Sequence, residues 1–197
     1  RVSNHEYYVD HDGERFIIRS NLRHQNFDIF TTDISAAASE QWDLLLNGSD
    51  ELYITDFLAL KYHLIVMSRA KGLDQVEIHD NKTRKHHQIE FPDAAYTVDF
   101  GTNPKSDATF VRLEYSSMTS PSKILDYDVI TRSTVTKKTQ KIPSGYSEEN
   151  YVSERILAEA RDGAQIPVSL VYKKSIEVTI GPTIVCPKTD KNLKVSF

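Results

Sequence analysis

Serine-based hydrolysis needs a nucleophile on a sharp strand-to-helix turn, flanked by glycines so that the backbone can bend, in the pattern G-x-S-x-G. The seven glycines are Gly13, Gly48, Gly72, Gly101, Gly145, Gly163 and Gly181, and no two of them bracket a serine at that spacing. Metal chemistry fares no better. His86 and His87 are adjacent, and neighbours on a strand point to opposite faces, so they are poor joint ligands. There is no H-E-x-x-H and no cysteine cluster. Asp10–Glu14, "DHDGE", faintly resembles a calcium loop but lacks the ligand spacing and the bidentate Glu at the loop's end, so a hairpin turn is the better reading. Cys186 has no His or acid beside it in sequence and reads as a free surface thiol. Thr131–Lys141, "TRSTVTKKTQK", is basic and β-branched, which suits an exposed outer strand guarded by Lys better than a nucleic-acid patch. Trp42 reads as packing. The residues therefore nominate no catalytic residue, no cofactor-binding residue and no metal ligand.

The elements available to hold any site are strands. Ten Tyr, eight Phe and many Val, Ile and Thr favour pleated surfaces. Strands are predicted at Glu6–Val9, Arg15–Arg19, Phe27–Thr32, Leu52–Phe57, Tyr62–Met67, Gln75–His79, Lys85–Glu90, Ala95–Phe100, Phe110–Tyr115, Lys123–Asp128 and Ser133–Lys138. Turn residues separate them at Asp12-Gly13, Lys71-Gly72, Asn81-Lys82, Asn103-Pro104 and Ser120-Pro121. The sequons Asn47-Gly-Ser and Asn81-Lys-Thr read as turns. Only Ser35–Gln41 looks helical, for a turn or two.

A repeat underlies the strands. "IFTTDI", "VEIHDN" and "ILDYDV" each set an aspartate at the end of an apolar strand: Asp33, Asp80 and Asp128, spaced by 47 and 48 residues. Such a carboxylate can accept hydrogen bonds from the amides of the following turn. Four short strands per unit of ~40–50 residues is the pattern of propeller blades. The reading is all-β: a partial β-propeller over residues 1–145 with about three four-stranded antiparallel blades (4–47, 51–92 and 94–143). A compact sandwich of ten or so strands is the rival, disfavoured by the even spacing and the recurrent Asp. Residues 146–174 add a hairpin around Asp162-Gly163, and 175–197 form a tail of different character. Closed propellers have ~4–8 blades, so three do not close a ring.

The 197 residues, 26% charged and 39% hydrophobic, fit one or two domains with a core. The net charge of −4 argues against a general nucleic-acid binder. No run of about 18 apolar residues suggests a membrane span. The single cysteine excludes an internal disulfide and fits a reducing, cytoplasmic compartment. Because the chain starts at Arg1, its N-terminus is expected to be cut, processed or incomplete.

Four stretches carry a resemblance: "RFIIRSNLRHQNFDIF" (Arg15–Phe30), "DFLALKYHLIVMSRAKGLDQVEI" (Asp56–Ile78), "RLEYSSMTSPSKILDYD" (Arg112–Asp128) and "YVSERILAEARDGAQIPVSLVYKK" (Tyr151–Lys174). Together they resemble the oligopeptidase B group of the prolyl oligopeptidase family of serine peptidases, with the Ser-Ser-Met-Thr-x-Pro segment the most specific. The resemblance implies that the hairpin leads into an α/β-hydrolase domain whose Ser, Asp and His would lie beyond residue 174. It also implies a propeller acting as a lid over that domain, and cleavage of short peptides after Lys or Arg. It implies no cofactor and no partner beyond peptide substrates, with no nucleic acid and no membrane. It fades near Lys174, for which a frameshifted or misassembled reading frame is the leading explanation and a genuine alternative tail the other. On this reading the chain itself is catalytically inert. The alternative is a stand-alone propeller fragment that binds a partner or self-associates through its open blade faces.

Overall fold

The computed structural model describes residues 3–35, 38–175, 184–185 and 194–195. Its strands form three antiparallel meanders of four. Sheet I is β1 (Tyr7–His11), β2 (Arg15–Ser20), β3 (Asp28–Asp33) and β4 (Asp43–Leu46). Sheet II is β5 (Leu52–Ala59), β6 (His63–Ala70), β7 (Leu73–Asp80) and β8 (His86–Gln88). Sheet III is β9 (Tyr96–Phe100), β10 (Phe110–Ser117), β11 (Lys123–Asp128) and β12 (Ser133–Thr139). A long hairpin follows, β13 (Tyr151–Glu159) with β14 (Gln165–Lys173), and then the short pair β15 (Ile184–Val185) and β16 (Lys194–Val195).

The burial pattern of β6 shows how the sheets stack. Leu64, Ile65, Val66 and Met67 are all buried, so both faces of sheet II are covered. Leu64 and Val66 join Ile17, Phe27, Ile29, Ile54, Phe57 and Ala59 in a core between sheets I and II. Ile65 and Met67 point the other way, into a core with Val76, Ile78, Val111, Leu113 and Tyr115 between sheets II and III. In β10 the period of two is plain: Val111, Leu113 and Tyr115 are buried while Phe110 and Glu114 are exposed.

Two of the three repeated aspartates, Asp80 and Asp128, act as the sequence suggests, and in these two the structure extends the repeat. Each closes the third strand of its sheet. Asp80 Oδ1 accepts from the amides of Lys82 (2.9 Å) and Thr83 (2.6 Å). Asp128 Oδ1 accepts from Ile130 (2.9 Å) and Thr131 (2.7 Å). Arg84 and Arg132 then take left-handed backbone (φ 61° and 56°) and donate their amides to the carbonyls of Asp80 and Asp128. The common element is thus D-x-x-T-R, present as "DNKTR" and "DVITR".

Three expectations need correction. Strand β4 was not predicted, because Asp43-Leu-Leu-Leu neither alternates nor carries β-branched residues. It forms because the edge of β3 offers a partner, with Phe30 opposite Leu44 and Thr31 opposite Asp43. The predicted strand Lys85–Glu90 shrinks to His86–Gln88, although the Ile89 amide still reaches Val76 O (2.9 Å). The helical reading of Ser35–Gln41 reduces to one 3-10 turn at Ser39–Gln41, with residues 36–37 outside the described ones.

The β4–β5 connection is held against the start of β3 at Gly48. Its amide donates to Asp28 Oδ1 (2.8 Å), and a Cβ there would lie 1.9 Å from the Phe27 carbonyl oxygen. Overpacking of this kind costs ~1–3 kcal/mol. Gly48→Ala is therefore expected to lower the midpoint of urea unfolding, and an unchanged midpoint would show that the approach is not obligatory. The β1–β2 turn supplies a pH-dependent counterpart. Asp12 is 7% exposed and accepts from the amides of Glu14 and Arg15 (both 3.0 Å) and from Arg15 Nε (2.8 Å). Burial opposes its ionisation, but the Arg15 guanidinium and the two amides outweigh it and hold the carboxyl below its ordinary value. A depressed folded-state pKa gives stability that is present at neutral pH and lost as the pH falls through about 4 and below. Asp12→Asn should lower stability at pH 7 and flatten the acid limb of a stability–pH curve, and an unaltered acid limb would contradict the assignment.

Candidate functional site

His86 and His87 do part to opposite faces of sheet II. His87 Nε2 lies 2.9 Å from the Tyr127 hydroxyl and ties β8 to sheet III. His86 stacks on His79 (centroids 5.3 Å apart), and Glu77 contacts both rings, at 2.8 Å to His79 and 3.5 Å to His86. The hydrogen bond from His79 is the main reason the Glu77 carboxyl is held below its usual range, with burial opposing it. Among the described residues no group of three or more His, Cys, Asp or Glu side chains is arranged to hold a metal ion.

The other sequence candidates take structural places. Asp10–Glu14 spans the β1–β2 turn, where the oxygens of Asp12 already serve that turn. The basic stretch from Thr131 to Lys141 contributes β12, the edge strand of sheet III, with all seven residues exposed. Trp42 lies beside Phe30 (5.8 Å) and Tyr7 (6.4 Å) on sheet I. Cys186 and Gly181 lie outside the described residues. A Ser–His contact exists that the sequence did not announce: His5 Nε2 is 2.8 Å from Ser20 Oγ. Ser20 is fully buried and its oxygen also accepts from the Leu22 amide, so it is closed to a substrate.

The segment with the most specific resemblance, Ser116–Pro121, makes the β10–β11 turn. Ser117 Oγ accepts from the amides of Thr119 (3.1 Å) and Ser120 (2.8 Å). Asp93 then gathers the Tyr115 hydroxyl (2.5 Å) and the Thr119 hydroxyl (3.1 Å). Burial, reinforced by Asp93, pushes the Tyr115 phenol well above its ordinary range, so it remains a donor. The approach to the terminal hairpin docks on this knot. Tyr146 donates to Thr119 O (2.7 Å), and Glu148 meets Lys123 Nζ (3.1 Å) and Ser120 Oγ (3.4 Å). The hairpin itself reaches the β6–β7 turn, where a Cβ on Gly72 would lie 3.4 Å from Pro167 Cγ and 3.5 Å from an Arg155 nitrogen. β13 and β14 thus sit at the end of the sheets that carries the β6–β7 and β10–β11 turns.

Buried Arg19 was also missed by sequence reasoning. Its guanidinium lies between the rings of Tyr8 (4.6 Å) and Phe27 (4.1 Å) and donates to the Thr55 carbonyl. The cation is held by π faces and a carbonyl and pins β2 to β5. An Arg inside an apolar strand, with aromatics on the neighbouring strand and loop, was the available signal.

Comparison with known proteins gives this geometry a family. Residues 1–140 match the model of the prolyl oligopeptidase N-terminal β-propeller domain. Dipeptidyl aminopeptidase BI of Pseudoxanthomonas mexicana is 30% identical over 173 residues, which is 87% of this chain and 24% of that protein. The oligopeptidase B structure from Trypanosoma brucei superposes with a TM-score of 0.74 at 28% identity, over 88% of this chain and 26% of that one. Oligopeptidase B from Leishmania major shares the fold, with a TM-score of 0.77 at 21% identity over 90% of this chain and 26% of its own. The chain spans about a quarter of the length of these relatives. No helix among the described residues is long and apolar enough to cross a membrane. The three stacked meanders are propeller blades, and the chain belongs to the prolyl oligopeptidase family as part of its N-terminal β-propeller domain.

Proposed function

We propose that this chain is the access-controlling lid of a serine oligopeptidase that cuts short peptides after Lys or Arg, and that the chain alone is catalytically inert. In the whole protein a Ser would attack the peptide carbonyl with a His as base and an Asp orienting it, all supplied by a domain following the hairpin. The blades contribute exclusion: a ring of packed sheets over the catalytic centre admits a short flexible chain and refuses a folded one.

The observation that carries this reading is the docking of the β13–β14 hairpin on one end of the blades, through Glu148, Tyr146 and Pro167. Chain leaving that hairpin is held to a single end of the sheets, as a lid requires. The preference for basic residues rests on the resemblance to oligopeptidase B. The relative from Trypanosoma brucei is described in a closed form with covalently bound antipain.

A second reading, self-association, is favoured by the open face of sheet I. There Tyr7 and Val9 are at least half exposed beside Phe16, Ile18 and Trp42, around a groove of about 380 Å³. Exposed apolar patches of this kind mark contact surfaces.

Two measurements separate the readings. With a Lys- or Arg-ester reporter, the chain alone should give no burst and no turnover. A longer protein that includes the following domain should hydrolyse basic esters in preference to proline esters and be silenced by a serine-directed inhibitor. Inhibitor-sensitive hydrolysis by the chain alone, or a preference of the longer protein for proline, would overturn the proposal. Sedimentation of the chain as one defined, concentration-dependent oligomer would favour the self-association reading.

A further inference from the structure

Sheets II and III leave a cleft between them at the end opposite the hairpin. It encloses about 270 Å³ and is lined by His63, Asp80, Thr83, Lys85, His87 and Arg132 over an apolar floor that includes Ile78 and Val129. The two D-x-x-T-R turns build it: the turn of sheet II brings Asp80 and Thr83, with Lys85 just after it, and that of sheet III brings Val129, Ile130 and Arg132.

The charges in this cleft are unbalanced. Neither Lys85 nor Arg132 has a carboxylate within 4.0 Å among the described residues. Asp80, the one acid in the lining, has its Oδ1 occupied by two turn amides, while its Oδ2 stands 4.0 Å from His63 Nε2. His63 Nδ1 is buried without a hydrogen-bond partner. His87 spends Nε2 on Tyr127. Two cations, Lys85 and Arg132, and two imidazoles therefore line one space that holds a single carboxylate, Asp80, already engaged by its own turn. The volume falls just under the ~300–1,000 Å³ usual for small-molecule pockets, which suits a small ionic group.

We propose that the cleft is a binding site for a small oxyanion, a sulfate- or phosphate-like group or a carboxylate, held by Arg132 and Lys85. Arg132 presents a planar fork of donors matched to such a group, and Lys85 a point charge on the other wall.

The site carries a pH signature. Burial holds the pKa of His63 down, and burial followed by the Arg132 charge does the same for His87. The groups acting on His87 are Arg132, His63 and His79, which oppose its protonation, and Glu77, which favours it; Tyr127 bonds its ring and Asp80 and Lys85 share its cavity. A bound anion favours the protonated imidazoles, so binding takes up protons and affinity should rise as the pH falls from 8 to 6.

The experiment is a titration of the full chain with sodium sulfate, whose charge is constant over that pH range. It is followed by the His87 and His63 ring resonances and by thermal melting, against sodium chloride at matched ionic strength. A saturable response larger than that to chloride, stronger at pH 6 than at pH 8, is expected. Arg132→Asn, which tolerates the left-handed backbone, and Lys85→Gln should each weaken sulfate by about two- to fivefold, the range for one partly exposed charge. Both positions are exposed, and an unchanged circular dichroism spectrum shows that each variant is folded. Inorganic phosphate and acetate at equal ionic strength distinguish a dianionic group from a carboxylate, and saturation by either supports the site. No response beyond that to chloride, or an undiminished response in Arg132→Asn, overturns it.

Discussion

Sheet II has apolar side chains on both faces, and the rest of the molecule follows from covering them. A strand such as β6, with Leu64, Ile65, Val66 and Met67 consecutive and buried, cannot lie on a surface. It needs a sheet on either side, and sheets I and III supply the two cores. The outer two sheets each keep one face without a neighbour. The open face of sheet I is aromatic and aliphatic, with Tyr7, Val9, Phe16 and Trp42 around its groove. That of sheet III is polar, with Arg112 gripping Asp126 through two bonds of 2.7 and 2.8 Å. The chain is thus directional along the stack as well as along its strands.

Hydrophobic contact between twisted sheets does not set their register, since apolar faces can slide. A few polar and close-packed ties do that here. Arg19 between Tyr8 and Phe27 reaches the Thr55 carbonyl, and the Ala59 amide of β5 donates to Asp10 Oδ2 of β1. His87 and Tyr127 tie sheet II to sheet III. Each tie uses a donor and an acceptor that would be costly to bury alone, so a slipped arrangement would forfeit hydrogen bonds as well as contacts.

The two ends of the stack differ in the same way. One end carries the Asp93–Tyr115–Thr119 knot and receives the hairpin through neutral and paired groups. The other end carries the D-x-x-T-R turns, whose aspartates are absorbed by backbone amides while the Arg and Lys side chains stay unpaired. The amides hold both carboxylates ionised but turned toward the backbone, while Lys85 and Arg132 face the cleft between the turns.

Much of this was legible in the order of residues. Alternation and turn residues located most strands, and the spacing of Asp33, Asp80 and Asp128 announced three like units, because a strand's period and a turn's hydrogen bonds are local properties. The four resemblance-bearing stretches named the family, and their strands lie in or beside the blades and the hairpin. Strand β4 was not legible, since its only reason to be extended is the free edge of β3. Nor was the buried Arg19, whose stability depends on rings supplied by residues 8 and 27. The cleft lined by Lys85, His87 and Arg132 also needed tertiary structure, because its walls come from turns 48 residues apart that meet only when sheets II and III stack. Local sequence decided the blades; the placement of charges between them was decided by packing, which alone brings distant side chains within reach of one another.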